Sequence, residues 1–435
     1  MIGTGYLGAT HAACLASLGH SVIGVDTSED RVDVLRTGRA PFHEPGLDAL
    51  LLDGVEEGRL TFSTTLEAAT DADVHFLCVG TPQRADSQAA DLTALESVVD
   101  ALAPLLTPHS LVVGKSTVPV GTATRLGARL RERAPAGRHV GIAWNPEFLR
   151  EGHAVEDSLR PDRLVFGVED DAADQLLRDV YAAILNAGVP VIRTDLATAE
   201  LAKVSANVML ATRISLVNLL AEVCEQAAAD VADLTTILGL DTRIGDRFLG
   251  PGIGFGGGCL PKDTRAFVAR AEELGLEEPA GLLRQVDAVN TRQRTRTVEL
   301  ALRLLSGDAA GRRIAVLGAA FKAGSDDVRD SPALDIAGRL SRAGADVHVY
   351  DPEAGHRVRR EHRDLAVDVS VEDACRGAEL VMVLTDWEEF RGLDPVALTD
   401  VVEVPRVVDG RLALDPDKWR AAGWLFRALG RGDGG

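Results

Sequence analysis

The residues best suited to covalent chemistry lie in the segment GFGGGCLPKD, residues 254–263, where Cys259 stands between a run of glycines and Pro-Lys-Asp. A buried structural cysteine packs against apolar side chains, whereas glycines let another molecule approach the backbone closely. Pro261 suits the first turn of a helix, so Cys259 is expected just before a helix N-terminus. Free N–H groups, the helix dipole and Lys262 would favour a thiolate there. This pattern predicts a nucleophile; the alternative is a small residue accommodated in a tight turn.

A second pair of candidates, Lys203 and Asn207, occurs in ELAKVSAN. Residues four apart share one face of a helix, and an ammonium and an amide on one face can together hold an alkoxide or a tetrahedral oxyanion. The alternative is a solvated helix face, although the flanking residues are mostly apolar.

Two further motifs follow strand-like runs, where ligands bind in α/β sheets. NPEFLREG supplies Glu147 and Glu151, whose carboxylates could activate water or move protons, although paired glutamates are commonly just surface residues. GKSTVPVG supplies Ser116 and Thr117, which suit the positioning of a water molecule or a cofactor amide. An anionic ligand would find positive charge in loop-like segments at Arg243, Lys322, Arg329 and Arg411.

The N-terminal segment has the pattern of a dinucleotide site. GTGYLG, residues 3–8, leads into a helical stretch and then a short apolar strand that ends at Asp26. Glycines for a tight turn, a helix N-terminus for the pyrophosphate and an acid about 20 residues on for the ribose are the parts of such a site. Asp26 favours NAD over NADP, because a 2′-phosphate would meet a carboxylate. Only Met1 and Ile2 precede the loop, whereas the first strand of such a fold usually has about five residues. Either the chain has a shortened start, which we expect, or its first strand is unusually short.

Strand-like and helical patterns alternate along the chain, which predicts an α/β fold of two Rossmann-like, doubly wound parallel-sheet domains joined by a long central helix. An unbroken helical pattern from about residue 195 to 229 separates them, and the second alternation lacks a clean dinucleotide fingerprint and should bind a different nucleotide. The predicted domains are an NAD-binding domain at 1–194, a helical linker carrying the cysteine at 195–300, and a second nucleotide-binding domain at 301–435. The tail GRGDGG is predicted to be disordered.

Composition narrows the function classes. The net charge of −20 argues against nucleic-acid binding. No apolar run reaches the roughly 20 residues of a membrane span, and we expect a cytoplasmic protein without a membrane partner. The five cysteines show no CxxC spacing, so neither a disulfide framework nor a metal site is predicted.

Lysine is unusually scarce: of 46 basic residues only five are lysine, namely Lys115, Lys203, Lys262, Lys322 and Lys418. Where arginine has been favoured so strongly, a remaining lysine is a candidate for work that needs a compact, titratable ammonium. The alternative is chance survival on the surface.

Eight motifs in order, GTGYLG, KSTVPVG, NPEFLREG, PDR, AKVSAN, DTRIG, FLGPGIGFGGGCLPKD and DDVRDSPAL, resemble the UDP-glucose/GDP-mannose dehydrogenase family from Met1 to about Lys418. DTRIG, FLGPG and PDR resemble the UDP-glucose branch more than the GDP-mannose branch. The resemblance implies oxidation of the C6 alcohol of a nucleotide-glucose to a carboxylate with two NAD+ reduced in succession. It also implies a Cys259 thiohemiacetal and thioester, and a homodimer or higher homo-oligomer built on the long helix.

The resemblance also implies roles for individual residues. The catalytic set is Cys259, Lys203, Asn207, Asp263, Glu147 and Thr117. The NAD-contacting set is Gly3, Gly5, Tyr6, Leu7, Gly8, Asp26, Arg31, Thr81, Thr117, Glu151, Lys262 and Arg329. The set that binds the nucleotide sugar is Glu147, Phe148, Leu149, Glu151, Lys203, Asn207, Arg243, Phe248, Phe255, Gly256, Lys322 and Arg411, with Arg243 reaching in from a neighbouring subunit.

Two departures from the family pattern flank the cysteine, where Gly258 replaces a frequent serine and Leu260 a phenylalanine.

Two alternatives for the function stay open. One is the same reaction on dTDP-glucose or another nucleotide hexose, since the arginine-rich composition suggests a GC-rich genome such as that of an actinobacterium with secondary metabolism. The other is a non-catalytic nucleotide-sugar binding protein, against which the intact set of Cys259, Lys203, Asn207 and Asp263 argues.

Overall fold

A computed structural model describes residues 1–432 of the chain. Its internal contacts divide the chain into two compact units. Unit 1 consists of Met1–Ala206 with Ala269–Gly275, and unit 2 consists of Asn207–Val268 with the chain from Leu276 onward. The division into domains at 1–194, 195–300 and 301–435 stays a prediction.

Unit 1 is built on short, apolar strands rich in valine, isoleucine and phenylalanine, as expected where both faces of a sheet are covered. Strands β3 to β5 run parallel, β5 and β6 are antiparallel, and β6 and β7 are parallel again, while β1 and β2 form a parallel pair. Within the described residues these strands are β1 (Val22–Val25), β2 (Leu60–Ser63), β3 (Val74–Leu77), β4 (Leu111–Gly114), β5 (Gly141–Trp144), β6 (Leu164–Val168) and β7 (Val191–Thr194).

The N-terminal residues fill the place of a first strand. Ile2 forms parallel bridges to both Val25 and Leu77, and so lies between β1 and β3. A single bridging residue therefore joins the strand pair to the larger sheet, directly before the glycine loop.

Helices cover unit 1 between its strands. They are α1 (Tyr6–Ser17), α2 (Glu29–Arg36), α3 (Leu47–Glu56), α4 (Thr93–Leu102), α5 (Thr122–Arg133), α6 (Ala154–Leu159), α7 (Asp171–Val180) and α8 (Ala182–Asn186), with 3-10 helices at Leu66–Ala69, Ala103–Leu105 and Gly137–His139.

The long central helix, α9, spans Leu196–Ala227 and agrees with the unbroken helical pattern in the sequence. It carries residues of both units, as does α11 (Leu260–Glu273), while α10 (Val231–Leu240) belongs to unit 2. Contrary to the expectation from the sequence, α9 is long and apolar enough to cross a membrane by length and composition alone, although 39% of its most apolar window is buried. A core helix meets the same criterion. The Ser215 hydroxyl of α9 donates to the Val286 carbonyl at 2.8 Å, as in a helix packed inside a domain.

Unit 2 contains a parallel sheet with the order β10-β9-β8-β11-β12-β13. Within the described residues its strands are β8 (Arg313–Leu317), β9 (Asp346–Tyr350), β10 (Ala366–Val367), β11 (Leu380–Val383), β12 (Arg406–Asp409) and β13 (Leu425–Ala428). Its remaining helices are α12 (Glu277–Leu304), α13 (Pro332–Arg342), α14 (Gly355–Glu361), α15 (Val371–Cys375), α16 (Glu388–Arg391), α17 (Pro395–Thr399) and α18 (Pro416–Ala421). The predicted fold class, Rossmann-like α/β domains with a long central helix, is confirmed.

The tail predicted to be disordered starts as a paired segment. The Gly430 N–H donates to Glu225 at 2.8 Å, and Arg431 pairs with Asp230 at 3.0 Å. Residues 433–435 of the predicted tail lie outside the described residues.

The carboxylate of Asp351 organises the first loop of the sheet in unit 2. It accepts the N–H groups of Ala319 and Ala320 at 2.7 and 2.9 Å and the indole N–H of Trp387 at 3.1 Å. Asp351 is 5% exposed, so each of these donors depends on it in place of water.

We expect Asp351→Ala to lower the free energy of unfolding of unit 2 by about 3 kcal/mol, because it leaves buried N–H groups without an acceptor. Urea unfolding followed by tryptophan fluorescence measures this, since Trp387, Trp419 and Trp424 all belong to unit 2. The exposed Asp417→Ala serves as a control with little effect, and equal midpoints for the two variants would contradict the role of Asp351.

Candidate active site

The glycine loop of unit 1 has the geometry that a pyrophosphate requires. Gly3 has a φ of +87°, and a Cβ on Gly8 would lie 1.8 Å from the Gly3 carbonyl oxygen, so both positions need glycine. A Cβ on Gly5, by contrast, would have no atom within 4 Å, and Gly5 directly precedes Tyr6 at the start of α1. The loop and helix N-terminus therefore fit a dinucleotide.

Asp26 lies at the end of β1, as the sequence predicts for a ribose-binding acid. Its carboxylate accepts the Thr4 N–H at 2.8 Å and the Ser28 N–H at 3.0 Å, and pairs with Arg31 at 2.9 Å. Burial alone would raise the pKa of Asp26, but these N–H groups and the guanidinium together hold that pKa below its usual value. The carboxylate is therefore ionised and firmly oriented at neutral pH.

Hydroxyl groups tie together the ends of the neighbouring strands β3 and β4. The Thr81 hydroxyl donates to the Thr117 carbonyl at 2.7 Å, and the Ser116 hydroxyl donates to the Val79 carbonyl at 2.6 Å. The structure thus brings Thr81 and Thr117 together at the carboxyl edge of the sheet, where the sequence predicts cofactor contacts.

Glu147 and Lys203, predicted from separate motifs, form an ion pair. The Lys203 Nζ lies 2.9 Å from Glu147 Oε1, and the two side chains are only 6% and 14% exposed. The other carboxylate oxygen accepts the Leu149 N–H at 2.6 Å. Phe148 packs beside this pair, with the Arg163 guanidinium 3.8 Å and Lys203 Nζ 5.9 Å from its ring centre. A carboxylate and an ammonium so held can move a proton or stabilise a developing oxyanion.

Cys259 in unit 2 is exposed and directly precedes α11, as the sequence predicts. The other cysteines, Cys14, Cys78, Cys224 and Cys375, are buried, as expected of cysteines in apolar helical or strand-like runs.

Asp263 lies in the first turn of α11 and connects two other predicted residues. Its N–H donates to the Cys259 carbonyl at 2.9 Å. Its carboxylate receives a hydrogen bond from the Asn207 amide at 2.6 Å and an ion pair from Lys262 at 2.5 Å. Asp263 is 1% exposed, so its two charged and polar partners hold it in a single orientation next to the cysteine.

The glycines before Cys259 make room for other parts of this chain, which differs from our interpretation that they admit another molecule. A Cβ on Gly256 would lie 2.3 Å from the Asp330 carbonyl oxygen, and one on Gly258 would lie 2.4 Å from the Arg329 guanidinium. The segment DVRDSP therefore packs directly on the glycine run, and the Gly257 N–H donates to the Arg329 carbonyl at 2.9 Å. Gly258 in particular leaves space for an arginine that the sequence predicts to contact NAD.

Two asparagines hold the loop that leads to the cysteine. The Asn290 side chain accepts the Phe255 N–H at 2.7 Å and donates to the Phe255 carbonyl at 3.0 Å. The Asn218 side chain accepts the Gly252 N–H at 2.8 Å. The backbone around Phe255 and Gly256, predicted to contact the sugar nucleotide, is thus fixed from helices α9 and α12.

Arg411, predicted to bind the nucleotide sugar, donates to three backbone carbonyls, those of Gly254 at 3.0 Å, Leu384 at 3.0 Å and Phe321 at 3.3 Å. Burial lowers the pKa of Arg411 from its usual value, although a guanidinium remains charged at neutral pH. The structure therefore gives Arg411 a role in bracing the loops around the site, and its contact with substrate stays a prediction.

The remaining predicted cations lie in unit 2. Arg329 pairs with Asp327 at 2.6 Å, and the Lys322 ammonium lies 5.6 Å from the Phe321 ring centre. Arg243 pairs with Asp241 at 2.6 Å while its side chain stays 88% exposed. An exposed Arg243 suits the prediction that it serves a neighbouring subunit, which stays a prediction. Phe248 is 40% exposed and has a φ of +61°, an uncommon backbone conformation for an aromatic residue.

Comparison with known proteins decides the family. Three models of the UDP-glucose/GDP-mannose dehydrogenase family match the chain: its NAD binding domain at residues 1–185, its central domain at 197–292 and its UDP binding domain at 315–416. The chain belongs to this family. Its cofactor is NAD, and the loop and acid described above are the residues that fit it.

Relatives of the same family match over the whole length. The chain is 39% identical to a UDP-glucose 6-dehydrogenase of Rhizobium meliloti, covering 100% of this chain and 99% of the relative. It is 42% identical to the UDP-glucose 6-dehydrogenase AglM of Haloferax volcanii, covering 94% and 96%. A solved UDP-glucose dehydrogenase from Pyrobaculum islandicum superposes with a TM-score of 0.89 at 37% identity, covering 98% of this chain and 95% of that one.

Sequence reasoning missed Glu44, which lies in the segment HEPG. Its buried carboxylate accepts the N–H groups of Gly152 at 2.8 Å and Ala154 at 2.7 Å, and the Tyr6 hydroxyl also donates to it. Glu44 thereby links the NPEFLREG segment to the start of α1. The sequence holds no signal for this, because the Gly152 and Ala154 N–H groups lie more than 100 residues away from Glu44 and the Tyr6 hydroxyl lies 38 residues away.

Glu200 was also missed, although it lies one turn before Lys203. Its carboxylate, 1% exposed, accepts the N–H groups of Gly121 at 2.7 Å and Ala123 at 2.5 Å. Burial raises the pKa of Glu200, and the same N–H groups oppose that rise. Glu200 thus caps α5 and fixes the first turns of α9 to the KSTVPVG segment. The sequence signal for a structural role was a single acidic residue in an apolar helical stretch, but it did not identify the partner.

Lys115 is a further residue without a predicted role beyond its scarcity. It follows β4, is 5% exposed, and donates to Asn145 Oδ1 at 2.9 Å and to the Tyr181 hydroxyl at 3.3 Å. Its ammonium also lies 5.8 Å from the ring centres of Phe76 and Tyr181. Burial lowers the pKa of Lys115 from 10.5 to about 8, helped by the charge of Lys203 and opposed by Cys78 and Glu147.

We expect Lys115→Met to raise the free energy of unfolding at pH 7 by about 3 kcal/mol, the equivalent of the lowered pKa. Between about pH 8 and 10.5, Lys115 has released its proton in the folded protein but still holds it in the unfolded chain. The free energy of unfolding of the wild type therefore rises with pH, and its deficit relative to the variant becomes smaller. Urea unfolding at pH 7, 8.5 and 10 measures the difference. A difference that does not change with pH would contradict the buried-charge account, and the exposed Lys418→Met is the control.

Proposed function

We propose that this protein oxidises UDP-glucose at C6 to UDP-glucuronate with two molecules of NAD+. The observation that carries the proposal is an exposed Cys259 at the start of α11, followed by a buried Asp263 that Asn207 and Lys262 hold in place. Binding alone needs no nucleophile, so this arrangement favours an enzyme over a non-catalytic nucleotide-sugar binding protein.

The chemistry requires two oxidations at one carbon. NAD+, when bound, accepts a hydride in each of them. In the first oxidation the C6 hydroxyl loses its proton and the carbon becomes an aldehyde. The Cys259 thiolate then adds to the aldehyde carbon, forming a C–S bond, and the oxygen takes up a proton to give a thiohemiacetal. In the second oxidation this adduct loses its hydroxyl proton and becomes a thioester. Water attacks the thioester, the C–S bond breaks, and the thiolate and a carboxylate are released.

Residues in both units have defined roles in this proposal. Lys203 and Asn207, one turn apart on α9, stabilise negative charge on the C6 oxygen as each tetrahedral species forms. Glu147 takes up and returns protons, as its contact with the Lys203 ammonium allows. Asp263 positions or deprotonates the attacking water, and Thr117 assists it.

The family defines the substrate class as a nucleotide sugar, and the named relatives favour the uridine nucleotide and glucose. A thymine differs from uracil by one methyl group, which a binding pocket discriminates by only about 1–3 kcal/mol. A comparison of kcat/KM for UDP-, dTDP- and GDP-glucose tests the base preference, and we expect the highest value for UDP-glucose.

The protein is further proposed to act as a cytoplasmic homodimer or higher oligomer through α9 and α10. Large apolar side chains of these helices are exposed, including Met209 at 65%, Val223 at 62%, Ile237 at 65% and Leu240 at 80%. Such a patch on one chain is the usual mark of a protein interface. Sedimentation velocity measures the assembly directly, and a monomer at micromolar concentration would contradict this part of the proposal.

We expect Cys259→Ala to abolish NADH formation from UDP-glucose, because neither the thiohemiacetal nor the thioester can form, while binding of NAD+ and UDP-glucose stays nearly unchanged. Absorbance at the NADH band and calorimetric titration measure the two properties. Cys375→Ala, which removes a buried thiol of unit 2, is the matched control and should retain turnover. Full activity of Cys259→Ala would refute the covalent route.

We expect Asp26→Ala to raise the KM for NAD+ by about ten- to a hundredfold, since a charged hydrogen bond to the ribose contributes about 1.5–3 kcal/mol. The KM for UDP-glucose should change little. Steady-state kinetics with each substrate varied in turn provide the measurement, with the exposed Asp30→Ala as control. An unaltered KM for NAD+ would mean that the ribose lies elsewhere.

A further inference from the structure

The strongest unexplained feature of unit 1 is an ammonium that is buried among neutral partners. The hydrogen bonds of Lys115 go to Asn145 Oδ1, the Asn145 carbonyl at 3.5 Å and the Tyr181 hydroxyl. Neutral acceptors compensate poorly for the loss of water around a cation. Only five of the 46 basic residues of the chain are lysine, and one of them stands at this buried position. A residue that lowers the stability of the fold commonly has a functional reason.

Asn145 connects this buried cation to the proposed active site. It directly follows β5, where its N–H donates to the Gly114 carbonyl at 2.9 Å. Its side-chain N–H donates to the Val165 carbonyl of β6 at 3.0 Å, and its side-chain oxygen receives the Tyr181 hydroxyl at 2.6 Å in addition to the Lys115 ammonium. The main chain is thereby locked at the point where NPEFLREG leaves the sheet, two residues before Glu147.

Charged and titratable groups face Lys115 from several elements of unit 1. Glu147 and Lys203 act on its charge from the NPEFLREG segment and from α9, and Cys78 acts on it from the segment after β3. His11 of α1 shares the Tyr181 hydroxyl, with its Nε2 3.1 Å away, and burial keeps the pKa of His11 well below its usual value. Lys115 is therefore a buried cation that interacts electrostatically with both members of the Glu147–Lys203 pair, while His11 contributes a neutral ring.

We propose that Lys115 is a positioning residue for the reaction, which fixes Asn145 and so holds Glu147 against Lys203. This inference rests on the proposed function and adds to it a residue that touches neither substrate nor cofactor. Without the ammonium, Asn145 Oδ1 still accepts the hydrogen bond from the Tyr181 hydroxyl but loses the one from Lys115. The Glu147 carboxylate also loses a favourable electrostatic interaction with the Lys115 charge. The loss should appear in proton transfer and thioester hydrolysis, since both use Glu147, with little effect on binding.

The test is Lys115→Met, which has a similar length and no charge, with Lys418→Met as the matched control. We expect kcat for NADH formation to fall about tenfold or more, with the KM for UDP-glucose and for NAD+ within about threefold of wild type. The thermal midpoint should stay the same or rise, whereas a residue that only stabilises the fold would lower it when removed. Lys418, which is exposed on α18, should leave all three kinetic quantities unchanged.

A folded Lys115→Met with wild-type kcat would overturn the inference, as would a loss of activity that merely parallels a lower thermal midpoint. If this variant does not fold, Tyr181→Phe decides the question, because it removes the hydroxyl shared with Asn145 and Lys115 and keeps the ring. We expect a fall in kcat at unchanged KM, and an unaltered kcat in Tyr181→Phe would contradict the route through Asn145. The wild-type protein in the same assay distinguishes failure of this inference from failure of the proposed function. If the wild type forms no NADH from UDP-glucose, the proposed function itself is refuted.

Discussion

The ion pair between Glu147 and Lys203, nearly withdrawn from water, is the contact on which the organisation of unit 1 depends. Two long side chains keep one geometry only if the segments that carry them are fixed. Glu44 fixes the end of NPEFLREG and Glu200 fixes the first turns of α9, each through N–H groups that the chain presents to a buried carboxylate. The buried carboxylates of Glu44 and Glu200 therefore fix the two segments that carry the Glu147–Lys203 pair, for which we propose a role in proton transfer.

Unit 2 uses a different means to hold Cys259, the proposed nucleophile. The loop before Cys259 is braced by amide side chains and by Arg411, and it is packed so closely against DVRDSP that a Cβ on Gly256 would clash with the Asp330 carbonyl oxygen. Rigidity here comes from side chains that bind the loop backbone and from this close packing. The cysteine itself remains exposed at the start of α11, so the restraint falls on its neighbours and leaves the sulfur accessible.

The sequence was sufficient to predict positions where the signal is local. The position of Cys259 at a helix start and that of Asp26 after a short strand could be predicted because the signal lies within a few residues, while their roles stay predictions. The contacts of Glu44, Glu200 and Asn145 could not be predicted, because the groups that they bind lie 20 to 110 residues away and nothing in their own segments identifies those groups. The glycine run shows the same limit: its composition indicated a close approach, but only the fold identifies Arg329 and Asp330 as what approaches.

Asp351 has a consequence for the order of events during turnover. In unit 2 the two N–H groups at the first crossover loop are already consumed by this carboxylate, so the second sheet offers them to no diphosphate. In the proposed reaction, which uses two NAD+ in succession, reduced coenzyme would have to leave the glycine loop of unit 1 and oxidised coenzyme take its place between the two oxidations. The proposed bond to Cys259 would retain the half-oxidised sugar during that exchange.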